Sequence, residues 1–76
     1  MQAIVSGEKP FKSINNSIAI GPSSSGYVLN FGVNPDGPWT QWDQASPADE
    51  CVVVSGVQRY MWFFLEGNTD DVEVIL

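Results

Sequence analysis

The chain contains no histidine, one cysteine and only three basic residues, Lys9, Lys12 and Arg59. Without histidine it lacks the usual general acid–base group at neutral pH and the commonest transition-metal ligand. One cysteine cannot close an intrachain disulfide. Nine acidic residues bring the formal charge to −6, which repels phosphate backbones and anionic bilayers, so neither nucleic acid nor membrane is expected as a partner. No window approaches the roughly 18 apolar residues of a membrane-spanning helix. The N-terminal MQAIVSGEKPFKS has no basic segment followed by an apolar one, so no cleaved export signal is expected. Sustained i, i+3, i+4, i+7 apolar spacing is missing as well, which excludes helices of ordinary length.

Strand signals are plentiful. Short runs rich in β-branched and aromatic residues occur at Gln2–Val5, Phe11–Ser13, Ser17–Ile20, Tyr27–Val33, Trp39–Trp42, Cys51–Val54, Tyr60–Leu65 and Val72–Leu76. Turn clusters separate them: Gly7-Glu8-Lys9-Pro10, Asn15-Asn16, the Gly21–Gly26 segment, Asn34–Pro38, Ser46–Asp49 and Gly67–Asp70. The expectation is one all-β domain over residues 1–76, a small antiparallel β-sandwich of about seven short strands, either immunoglobulin/fibronectin-like or jelly-roll-like. Pro35-Asp36-Gly37 supplies a preset φ, a side chain that bonds its local backbone, and a residue tolerant of positive φ, so Tyr27–Val33 and Trp39–Trp42 are expected to form a hairpin. Alternation places Tyr27, Leu29, Phe31 and Val33 in the core and Val28, Asn30 and Gly32 on a more polar face.

The segment Tyr60–Leu65 differs, because both of its faces are apolar. Tyr60, Trp62 and Phe64 share one side; Met61, Phe63 and Leu65 share the other. Either one set is core and the other an oligomer or partner contact, or both are internal, as in a tight barrel. A domain of this size buries only about 60% of its unfolded surface, and with no disulfide to staple it, association between copies is the remaining support.

Most other candidates have an ordinary explanation. Cys51 opens the run Cys51-Val52-Val53-Val54 and has no histidine to activate it, so it reads as a buried structural thiol. Asn68-Thr69-Asp70-Asp71 lacks EF-hand spacing and reads as a turn, with no metal expected. Ser23-Ser24-Ser25 lacks the lysine of a phosphate loop and reads as a flexible connection. No catalytic residues and no cofactor are expected, and the chain is not expected to be an enzyme. Trp39 and Trp42 stand three apart, so on a regular strand they point to opposite faces. Trp42, beside Gln41 and Asp43, is expected to be the more exposed. Trp39, Gln41, Trp42 and Asp43 are therefore the candidate contacts for a carbohydrate, on which exposed rings stack.

Tyr27-Val28-Leu29-Asn30-Phe31-Gly32-Val33 followed by Asp36-Gly37-Pro38-Trp39-Thr40 resembles the hairpin of fibronectin type III and discoidin-like β-sandwiches. Val52–Tyr60 with Trp62 and Phe64 resembles the strand, corner and aromatic strand of the fibronectin type. Ser17–Ser23, Trp42–Glu50 and Phe64–Thr69 are similar to small β-domain virion proteins of tailed bacteriophages, of the capsid-decoration or head-fibre type. That resemblance implies a structural protein made in the host cytoplasm and resident in the virion, a homo-oligomer with a trimer favoured, capsid or other virion proteins as partners, and no cofactor.

Overall fold

A computed structural model describes residues 1–42 and 48–76. The described residues form an all-β sandwich of eight strands: β1 (Gln2–Ser6), β2 (Phe11–Lys12), β3 (Ser17–Ile20), β4 (Val28–Gly32), β5 (Thr40–Gln41), β6 (Val52–Ser55), β7 (Trp62–Glu66) and β8 (Asp71–Ile75). One sheet has the order β1-β8-β3-β6 and the other β2-β7-β4-β5. Every pairing is antiparallel. The pairs β4/β5, β3/β6, β2/β7 and β1/β8 nest inside one another, as if one long hairpin with β4–β5 at its tip had been rolled into two layers. That is a jelly roll, the second of the two topologies open to the sequence.

The alternation of apolar residues decides which faces meet. Ile18 and Ile20 of β3, Val52 and Val54 of β6, and Val72 and Val74 of β8 point inward, while Ala19, Val53 and Glu73 point out. From the second sheet, Leu29, Phe63 and Leu65 meet them with 1% exposure or less. Phe11 stacks on Phe63 across the β2/β7 pair, with ring centroids 5.9 Å apart. The expected hairpin is present: Asn30 pairs with Gln41 and Phe31 with Thr40. Its turn is closed by the Gly37 N–H donating to the Asn34 carbonyl at 3.1 Å.

Several expectations are corrected. Val33 is 70% exposed, because β4 ends at Gly32 where the turn begins. Cys51 is exposed rather than buried, since it precedes β6 and shares the outward parity of Val53 and Ser55. The Ser23–Ser25 segment is firmly tied, with Ser23 fully buried and its Oγ donating to Asn68 Oδ1 at 2.7 Å. Asn68 Nδ2 in turn donates to the carbonyls of Gly7 and Asp70, and Ser24 donates to the Asp70 carboxylate through both N–H and Oγ. Three connections, β1–β2, β3–β4 and β7–β8, are thus sewn together at one end of the sandwich. Asn68 Oδ1 and Asp70 Oδ2 are both taken up by that seam.

Candidate functional site

The two faces of the aromatic segment are resolved by the start of β7 at Trp62. Phe63 and Leu65 are fully buried and Met61 packs partly buried against the core. Trp62 and Phe64 are half-buried on the outer face of their sheet, and Tyr60 is 62% exposed in the preceding turn. The six candidate interface residues therefore divide, and only Tyr60, Trp62 and Phe64 lie on the outer side.

Tyr60 is not in a strand. Its φ is 62°, a left-handed conformation rare for an aromatic residue. Ser13, fully buried, holds the turn: its carbonyl accepts from the Tyr60 N–H at 2.8 Å, and its Oγ donates to the Gln58 carbonyl at 2.8 Å and accepts from the Met61 N–H at 3.2 Å. The Tyr60 ring is thereby held outside the sandwich. Lys12 Nζ lies 5.9 Å from the Tyr60 ring centre and 5.6 Å from that of Trp62, within cation–π range of both.

Strand register lays out the rest of this face. Gly32 of β4 lies opposite Trp62, which lies opposite Lys12 of β2. In the next row Gln41, Asn30 and Phe64 follow one another across β5, β4 and β7, and beyond them Val28 faces Glu66. Two glycines seat the indole of Trp39 beside these rows. A Cβ on Gly32 would stand 2.7 Å from the Pro38 carbonyl oxygen and 3.3 Å from Trp39 Cε3, and one on Gly37 would stand 3.0 Å from Trp39 Cδ1. Trp39 meets Phe64 edge-on at a centroid distance of 4.7 Å. Asn30 is 93% buried, and its Nδ2 donates to Glu66 Oε1 at 2.9 Å and to the Val28 carbonyl at 3.1 Å.

The two tryptophans of the hairpin do point opposite ways, with their roles the reverse of those expected. Trp42 N–H bonds the Leu29 carbonyl at 2.8 Å, which places its ring on the inner side, edge-on to Phe31 at 5.3 Å and tilted to Phe63 at 6.4 Å. Trp39 is the outer one. Of the candidate carbohydrate contacts, Trp39 and Gln41 share the outer face, Trp42 packs against the core, and Asp43 lies outside the described residues. Sequence reasoning missed Lys12, Asn30 and Glu66, which only the β2/β7/β4 register brings beside the rings.

The opposite sheet has a different outer face. Gln2, Ile75, Ala19 and Val53 form one row across all four strands, β1, β8, β3 and β6. Ile4, Ile75 and Val53 are each more than half exposed. A shallow depression of about 170 Å³ lies among Gln2, Ala19, Gly21, Cys51, Glu73 and Ile75. The sheet ends in β1 (QAIVS) on one side and β6 (VVVS) on the other, neither carrying a charge or a proline. No described strand pairs with their outer edges.

No protein-family model matches the chain, and neither a curated protein nor a solved structure matches it. The fold and the two outer faces are what the functional reading rests on.

Proposed function

We propose that this protein is a non-catalytic structural subunit that assembles with copies of itself by continuing the β1-β8-β3-β6 sheet from one copy to the next. The observation that carries this is the pair of edges with which no described strand pairs. Soluble proteins blunt edge strands with charge, proline, bulges or coverage, and β1 and β6 carry neither charge nor proline. Their directions are complementary. Alternate strands of this sheet run oppositely, so β6 of one copy lies antiparallel to β1 of the next. The apolar row containing Ile75, Ala19 and Val53 then runs on across the junction.

Such a contact is heterologous: it closes into a ring or grows into a fibre. A closed trimer is the proposed form. The molecule measures 27 × 23 × 21 Å, so one whole face offers on the order of 600 Å², short of the roughly 800 Å² per partner of a standard stable interface. A ring gives every copy two contacts and makes good the shortfall. The virion setting rests on the resemblance to phage decoration and head-fibre proteins, together with the jelly roll's use in capsids, which is an analogy of fold. Light scattering across a concentration series tests the assembly: a trimeric mass is expected, and Val53→Lys, which puts a charge on the β6 edge, is expected to give a folded monomer. A wild-type monomer at every concentration would overturn the reading.

A further inference from the structure

We propose that the outer face of the β2-β7-β4-β5 sheet is a binding site for a neutral hexose-containing glycan, independent of the assembly edges on the other sheet. Trp39, Trp62 and Tyr60 supply the stacking surfaces. Trp39 has one part of its indole laid against Gly32 and Gly37 and is only half-buried, so the remainder of the ring is open to a ligand. Tyr60 is held outward against its own backbone preference, and a backbone outlier next to an exposed ring is the kind of strain that persists where function requires it.

The polar groups among these rings select the class of ligand. Both hydrogens of the Asn30 amide are spent on Glu66 and Val28, which turns its Oδ1 into a fixed acceptor; Glu66 Oε2 is a second. Neither oxygen bonds another described residue. A dry protein interface laid over this face would bury those acceptors, and the Glu66 charge with them, which is strongly unfavourable unless donors are supplied. A sugar supplies donors: its hydroxyls meet Asn30 and Glu66 while its C–H face stacks on the indoles. Glu66 and the net charge of −6 disfavour phosphate and sialic acid. Lys12, between Tyr60 and Trp62, is positioned to donate to a ring or hydroxyl oxygen.

An array of neutral and sialylated oligosaccharides, followed by intrinsic tryptophan fluorescence titration of the hits, tests the site. Binding to at least one neutral glycan is expected, weakened tenfold or more by Trp39→Ala and by Trp62→Ala, and weakened by Glu66→Gln, whose amide removes the charge while keeping the shape. Circular dichroism confirms folding of each variant. Tyr60→Gly separates ligand contact from stability, because it is expected to lose affinity while remaining at least as stable as the parent. Val53→Lys is expected to leave glycan affinity unchanged, so failure of the assembly reading and failure of this one are distinguishable. Absence of any neutral-glycan signal from folded protein, binding confined to sialylated glycans, or affinity indifferent to both tryptophan substitutions would each overturn the proposal.

Discussion

Tyr60 stands at φ 62° with its N–H bonded to the carbonyl of Ser13 at 2.8 Å, so a buried serine fixes an exposed aromatic ring in a conformation that L-residues avoid. The left-handed region costs a non-glycine residue roughly 1–2 kcal/mol. Glycine adopts it without a Cβ penalty, although it also gains freedom in the unfolded chain. Tyr60→Gly is therefore expected to raise stability by up to about 1 kcal/mol in urea unfolding. A loss of more than that would mean the ring packs as part of the fold.

Ser13→Ala removes the other half of the relationship. The Gln58 carbonyl and the Met61 N–H both lose the Ser13 Oγ, in a place that water does not reach freely. Leaving such groups unsatisfied costs about 1–3 kcal/mol, and the same unfolding measurement should show a destabilisation of that size. An unchanged midpoint would mean that the backbone bonds alone hold the turn.

Gly32→Ala tests the seat of Trp39. The added methyl would stand 2.7 Å from the Pro38 carbonyl oxygen, which is backbone and has little room to yield. Moving the Pro38–Trp39 segment that leads into β5 is expected to cost about 1–3 kcal/mol, the usual range for overpacking. A shift in tryptophan emission should accompany it. No change in either quantity would contradict the described packing.

Ser24 holds the Asp70 carboxyl below its ordinary pKa, first through the hydroxyl and then through the backbone N–H. A carboxylate with a depressed folded-state pKa contributes stability above its unfolded pKa and loses that contribution as pH falls through the folded value. The seam between the β3–β4 and β7–β8 connections should therefore weaken only on acidification below the ordinary aspartate range. Carbon-detected NMR titration is expected to show Asp70 moving back up in Ser24→Ala. An unmoved titration would dissociate the pair from the shift.

The strands were legible where alternation was clean. Ser17–Ile20, Val52–Val54 and Val72–Val74 each place large β-branched residues at every second position, and each lies with that face in the core. The order of the strands was not legible, because nested pairs such as β1/β8 join residues some 70 positions apart and no local signal records them. Trp39 and Trp42 show the same limit. Their opposition follows from their spacing, but which one faces inward depends on the register that sets Trp42 beside Leu29. Asn30 looked like surface for a similar reason: its cover comes from neighbours across two strand pairs. The left-handed turn at Tyr60 had no signal in residue type, since glycine or asparagine is the usual mark of such a position.

Hydrogen exchange at the two outer edges tests the assembly most directly. The amides of Gln2–Ser6 that point away from β8, and those of Val52–Ser55 that point away from β3, have no described strand beside them within one copy. If copies continue one another's sheet, these amides exchange slowly at high concentration and lose protection together on dilution or in Val53→Lys. Free exchange at every concentration, with the inward amides of the same strands still protected, would contradict the account.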